Sequence, residues 1–158
     1  MKAVIFQIQN EDFGIPIDYV VSIEKVQDLK PIPNLPDFVK GIMPIRDELV
    51  PIMDVAYLFI KKEITDLDEA KVITVQAEEF TAGLLVGEAK EILELEENTL
   101  KPLPIGAGDS SKWFSSIAME ENRLITIVNP DSFIGTLEGL DDIKAELENV
   151  RNEEKASL

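Results

Sequence analysis

The sequence predicts an all-β protein: two small barrels of about five strands each, carrying short helices and followed by a C-terminal helix. Three observations predict it. The chain repeats itself, its apolar segments are short and closely punctuated by turn residues, and a sustained helical stripe occurs only in the last 22 residues. The repeat is the most informative. Ile8-Gln9-Asn10-Glu11-Asp12-Phe13 recurs as Val75-Gln76-Ala77-Glu78-Glu79-Phe80. Leu29-Lys30-Pro31-Ile32-Pro33 recurs as Leu100-Lys101-Pro102-Leu103-Pro104, and Glu48-Leu49-Val50-Pro51-Ile52-Met53-Asp54 is echoed by Arg123-Leu124-Ile125-Thr126-Ile127-Val128-Asn129. The order is the same in both halves, and the offset grows from 67 to 71 to 75 residues, as insertions in surface loops produce.

In the first unit, residues 3–9 are rich in Val, Ile and Phe and end at the acidic turn Asn10-Glu11-Asp12, after which 13–17 run on as the second strand of a hairpin. Asp18 is placed to cap a short helical turn through Tyr19-Val20-Val21. Residues 22–26 alternate polar and apolar, the period of a strand with one face in water. Pro31, Pro33 and Pro36 enforce an extended connection, because each fixes its own φ and turns its predecessor away from helix. Residues 41–45 and 48–53 flank Arg46-Asp47 as a second hairpin, and Asp54 caps a helix over Val55–Ile60 with Val55, Leu58 and Phe59 on one face.

The second unit follows the same plan. Strands are expected at 71–77, 80–86, 91–95, 113–119 and 123–128, with a helical turn near 87–90 and another from Pro130, where Asn129 caps and proline takes the first helical position. Lys61 to Ala70 is polar enough to be a linker, so the sub-barrels are expected at about 1–65 and 66–136, with exchange of a strand across the boundary left open. Closure into barrels removes the edges that a five-stranded sheet leaves exposed; a single ten-stranded sandwich is the other arrangement the pattern allows. In 137–158, Leu140, Ile143, Leu147 and Val150 make a helical stripe on a segment with 7 acidic and 3 basic residues. That segment is an acidic C-terminal helix lying on the barrels and fraying after Arg151, or a docking helix for a partner.

Acidic residues number 31 against 15 basic, a formal charge of −16, which argues against nucleic acid and anionic membrane surfaces as partners. There is no cysteine and no histidine, so disulfides, thiolates, Ser-His-Asp triads and HExxH metal sites are excluded. Any catalysis would rest on carboxylates, lysines, tyrosines or a hard metal ion. The N-terminus turns polar at Gln7 and Gln9, too soon for a signal peptide, and no apolar run reaches the ~20 residues of a membrane span, so a cytoplasmic protein with no direct membrane insertion is expected.

Several segments resemble chemical motifs weakly. Gly106-Ala107-Gly108 begins like a dinucleotide loop but has Ser111 at the third glycine position, and reads as a plain loop. Asp66-Leu67-Asp68-Glu69 lacks the glycine and closing glutamate of a calcium loop, and Glu94, Glu96 and Glu97 read as solvated charge. Lys112-Trp113-Phe114 suits an exposed aromatic contact or a core equally. Arg46 stands out because it sits at a hairpin turn between two apolar strands. It is a solvated turn residue, a structural ion pair with Asp54 or Asp37, or a guanidinium presented to a partner's carboxylate.

These landmarks, in this order, resemble the CheW family of bacterial chemotaxis coupling proteins, over about residues 3–136. The strongest stretch is Pro33-Asn34-Leu35-Pro36-Asp37-Phe38-Val39-Lys40-Gly41-Ile42, continuing to Arg46 and Leu49-Val50-Pro51-Ile52-Met53-Asp54. Phe13-Gly14-Ile15-Pro16-Ile17, Val20 to Val26 and Gly83-Leu84-Leu85-Val86 support it. The family's Asn-Leu-Arg-Gly is Pro44-Ile45-Arg46-Asp47 here, its frequent acidic residue in Val-x-Glu-Val is Ser22, and its Val-Asp in the second unit is Val86-Gly87.

The resemblance implies one CheW-like domain over 1–136, made of two five-stranded SH3-like barrels. It further implies a non-catalytic scaffold with no cofactor and no metal, joining the cytoplasmic tips of chemoreceptors to the regulatory domain of the histidine kinase CheA. By position, Arg46 with Asp47 beside it, and Val21, Ser22 and Ile23, are the candidates for partner contact; ordinary core is the alternative for Val21 and Ile23. The departures at Pro44, Asp47, Ser22 and Gly87 motivate a second reading, an adaptor of the same fold rewired to another signalling partner. A carboxylate- or metal-dependent enzyme is the reading from a different class.

Overall fold

The computed structural model describes residues 1–78, 80–103 and 112–156. Gly106-Ala107-Gly108 lies outside the described residues. Fourteen elements follow in order: β1 Lys2–Ile8, β2 Glu11–Pro16, β3 Val20–Lys25, β4 Val39–Ile45, β5 Glu48–Asp54, α1 Val55–Ile60, β6 Lys71–Ala77, β7 Phe80–Val86, β8 Glu88–Glu94, β9 Leu100–Pro102, β10 Phe114–Glu120, β11 Arg123–Val128, α2 Pro130–Gly135 and α3 Leu140–Ala156. They form a five-stranded sheet, β3-β6-β7-β5-β4, and a six-stranded sheet, β8-β1-β2-β11-β10-β9. These are the two SH3-like barrels, each with its own interior.

The two sequence units exchange strands reciprocally. The first hairpin of the first unit, β1–β2, pairs with β8 and with β11; its counterpart in the second unit, β6–β7, pairs with β3 and with β5. Both exchanges include one parallel pair, β2 with β11 and β5 with β7. Each sheet therefore draws strands from both sides of residue 65.

Three apolar clusters result. One fills the five-stranded barrel, around Met43, Ile52, Val72 and Leu85; one fills the other, around Ile5, Leu95, Ile125 and Ile127; the largest lies between them. That central layer holds Val4, Phe6, Val55, Leu58 and Phe133, with Phe59 in ring contact with Phe13, Trp113, Phe114 and Phe133 at 5.0–6.0 Å. Trp113 is thus partly buried packing, and its indole N–H donates to the Thr136 hydroxyl at 3.0 Å. Helix α3 lays Ile143 and Leu147 on the same layer, and the Arg151 guanidinium donates to the Leu49 carbonyl at 3.3 Å.

Local chemistry explains the elements. Asn129 caps α2 by accepting from the Ser132 N–H, with Pro130 at the first helical position. The hairpins β1–β2, β4–β5 and β10–β11 turn on Gln9–Asn10, Arg46–Asp47 and Glu121–Asn122, all six residues at positive φ, the two-residue geometry that matches strand twist.

Four expectations are corrected, and one strand is added. The first hairpin turns at Gln9–Asn10 rather than 10–12, and Asp18 lies inside a short 3-10 turn, Ile17–Tyr19, with no side-chain cap. Residues 88–90 begin β8 rather than a helical turn, because pairing with β1 overrides their helical composition. Leu100–Pro102 is a strand, paired with β10. Helix α3 continues past Arg151 to Ala156.

Candidate partner-binding site

Most of the stretch Pro33 to Asp54 is architecture. Asn34 takes a left-handed φ of 68°, which lets the chain turn between Pro33 and Pro36; the Val39 N–H then donates to the Pro36 carbonyl at 3.0 Å. Phe38 is buried in the central layer, and its carbonyl accepts from the Asp54 N–H at 2.7 Å. Gly41 is required by a close approach. Lys30 and Ile42 exchange two backbone hydrogen bonds of 2.9 Å, and a Cβ on Gly41, at φ +152°, would lie 2.3 Å from the Lys30 carbonyl oxygen. That bridge ties the chain after β3 back to β4 at the far end of the sheet and so closes the barrel.

Asp54 is fully buried and fully engaged. Its carboxylate caps α1 by accepting from the Tyr57 N–H at 3.1 Å, accepts from the Ile64 N–H at 2.8 Å, and lies 3.6 Å from the Lys40 ammonium. It is therefore not the counter-charge of Arg46, and Asp37 makes no ion pair with Arg46 either. Among the described residues Arg46 has no hydrogen bond or ion pair, and Arg46, Asp47 and Glu48 are all exposed. Arg46 holds φ 50° and Asp47 φ 68°, so Asp47 takes the conformation that glycine takes most readily, and the hairpin forms without it.

The second candidate stretch lies elsewhere on the sheet. Ser22 and Ile23 pair with Thr74 and Ile73 of β6, whereas Arg46 lies in the turn that joins β4 to β5, so no strand ladder links the two stretches directly. The alternation expected in this strand is present, but its faces are reversed. Val21 is 44% exposed and Ile23 41% exposed, whereas the hydroxyls of Ser22 and of its cross-strand partner Thr74 are buried with no hydrogen-bond partner. Val21 and Ile23 are thus surface, not core, and Ser22 turns its hydroxyl away from solvent. Two apolar β-branched side chains thus lie side by side on the outer face of the strand at one end of the five-stranded order.

Charge elsewhere is used structurally. Arg123 donates through Nε to Asp12 at 3.1 Å and lies 2.7 Å from Glu91, joining β11, β2 and β8 at one end of the six-stranded barrel. Burial pushes the Asp12 carboxyl up, but hydrogen bonds from Arg123 and Gln7 and the Arg123 charge outweigh it and hold it below the ordinary value. The Tyr19 hydroxyl donates to Asp131 at 3.1 Å, which raises its pKa, and burial and nearby carboxylates add to the shift. Among the described residues no group of three or more acidic side chains is placed to hold a metal ion, and no helix is long and apolar enough to cross a membrane.

Two exposed apolar residues that sequence reasoning did not single out are Met119 and Leu124, cross-strand partners on the β10–β11 hairpin and 55% and 58% exposed. The signal was available: both are large apolar residues flanking the turn Glu121–Asn122, at positions whose neighbours Ala118 and Ile125 point inward.

Comparison with known proteins follows the same lines. Residues 2–138 match the family of CheW-like domains. The chain is 24% identical to the chemotaxis protein CheW of Bacillus subtilis, over 84% of this chain and 86% of that one. It is 25% identical to CheW of Klebsiella aerogenes, over 85% and 81%. The crystal structure of the scaffolding protein TtCheW from Thermoanaerobacter tengcongensis superposes with a TM-score of 0.77 at 25% identity, covering 87% of this chain and 89% of that one.

Proposed function

The chain belongs to the CheW-like family of chemotaxis scaffolds, and from that membership we propose that it couples the cytoplasmic tips of chemoreceptors to the regulatory domain of the histidine kinase CheA. It works in the cytoplasm, as a non-catalytic adaptor. The observation that carries the reading is Arg46. Asn34, Phe38, Gly41 and Asp54 of the same stretch each serve the fold, whereas Arg46 is exposed at a two-residue hairpin turn and unpaired among the described residues. A guanidinium presented on a short, rigid hairpin suits bidentate capture of a partner carboxylate. Asp47 fixes the turn that aims it. Val21 and Ile23 supply a separate apolar contact on β3, and Ser22 between them faces the interior. Two contact regions on one rigid body are what a coupling protein needs to hold two partners at once.

The test is binding of two probes, the CheA regulatory domain and a two-helix receptor-tip fragment, each followed by fluorescence anisotropy. Arg46→Glu weakens one of the two by about tenfold or more while the melting temperature is unchanged. Val21→Ser with Ile23→Ser weakens the other. Loss of folding in Arg46→Glu would make Arg46 structural, and normal folding with no affinity of the wild-type chain for either probe would favour an adaptor rewired to another partner.

A further inference from the structure

The outer face of the β10–β11 hairpin carries an apolar surface that the Arg46 turn and β3 do not account for. Met119 and Leu124 face each other across the two strands and are more than half exposed, while the next pair away from the turn, Ala118 and Ile125, is fully buried in the barrel. Behind the pair on the same face come Ile117 and its partner Thr126, and then Phe13 of β2, opposite Thr126 in register, which belongs to the central aromatic layer. The exposed pair is thus the solvent end of an apolar stripe anchored in the core.

The charges around it are mainly acidic. Glu121 is in the turn, Glu11 lies on β2 one residue before Asp12, the register partner of Ile125, and Glu97 sits in the 3-10 turn that packs on β10; all three are exposed. The nearby base Arg123 is on the opposite face, bound to Asp12 and Glu91; Lys101, exposed and opposite Ile117, is a base on the same face as the pair, farther from the turn. A second copy of this chain brings the same acids to the same place, and the formal charge of −16 opposes such pairing. We propose that this face is a docking surface for a basic amphipathic helix of a partner protein, with its apolar side chains on Met119 and Leu124 and its lysines or arginines against the surrounding glutamates.

The probe is a synthetic amphipathic helical peptide of leucine and lysine only, titrated into the full chain with the methyl signals of Met119 and Leu124 observed by NMR. Saturable shifts centred on those methyls, weakened by added salt, are expected. Met119→Thr with Leu124→Thr, which keeps strand propensity, weakens binding about tenfold or more, and Glu121→Lys with Glu11→Lys weakens it with the apolar pair intact. A leucine–glutamate peptide of the same pattern does not bind. Shifts spread over the whole acidic surface, shifts centred on Val21 and Ile23 instead, or a concentration-dependent dimer abolished by the double threonine variant would each overturn the proposal.

Discussion

Replacing Arg123 with alanine removes the tie between three strands of the six-stranded barrel. The guanidinium reaches Asp12 at 3.1 Å and Glu91 at 2.7 Å, and without it the Asp12 carboxylate, only 13% exposed, keeps one polar partner, Gln7 at 3.0 Å. Removing one partner of a fully buried pair costs about 3–5 kcal/mol. Arg123 is 35% and Glu91 40% exposed, so the Glu91 arm is worth about 1 kcal/mol or less, and solvent offsets part of the loss at Asp12. The net expectation is about 2 kcal/mol, which for a chain of this size lowers the melting temperature by about 4–8 °C. The sign of the pH dependence follows from the lowered pKa of Asp12. Its stabilisation is fully present above the ordinary value of 3.8 and is lost as pH falls through the lower folded value. In Arg123→Ala burial acts on Asp12 without the opposing guanidinium, so the carboxyl protonates at higher pH than in the wild type. Calorimetric melting of both proteins from about pH 7 to about pH 3 should therefore show the deficit shrinking as pH falls. A deficit of the same size throughout would mean that lost packing of the arginine stem, not charge, accounts for it.

Three further substitutions probe the fold. Gly41→Ala forces a Cβ to 2.3 Å from the Lys30 carbonyl oxygen at φ +152°, and should cost about 3 kcal/mol in chemical denaturation, with faster amide exchange at Lys30 and Ile42. Phe133→Ala empties the centre of the aromatic layer, where Phe133 is fully buried 5.0 Å from Trp113 and 5.4 Å from Phe59; about 3–5 kcal/mol should be lost, with a shift in Trp113 fluorescence. Tyr19→Phe removes the hydrogen bond to Asp131 and should cost about 1 kcal/mol near neutral pH. Because the Tyr19 pKa is raised, that deficit is full below the ordinary value of 10.0 and disappears as pH rises through the folded value, measurable as convergence of the two melting curves in alkali.

Local chemistry was legible in the sequence and non-local pairing was not. Asp54 and Asn129 announce their helices because a capping side chain acts within one turn. The hairpins are legible for the same reason, since turn and register are set by neighbours in sequence. The parallel pairs β2–β11 and β5–β7 join residues far apart in the chain, and nothing in either segment names its partner, so the strand exchange could be left open but not read. β9 escaped because three residues ending in proline carry no period. At the candidate site, the hairpin bearing Arg46 was placed correctly, but alternation in β3 gave the period and not the face. Hydrophobicity argues that Ile23 points inward; the barrel instead turns Ser22 in and leaves Val21 and Ile23 out. The proposed contact on β3 rests on that exposure, which is read from the structure and not from the sequence. Met119 and Leu124 carry the same ambiguity: alternation gives the period of β10 and β11 and not the face that meets solvent.

The coupling function is tested most directly by calorimetric titration of this protein with the CheW-like regulatory domain of a CheA kinase from the same source. Saturable 1:1 binding at about micromolar affinity or tighter is the predicted result. No heat and no binding, with the protein shown to be folded, would contradict it and leave the fold without the coupling role.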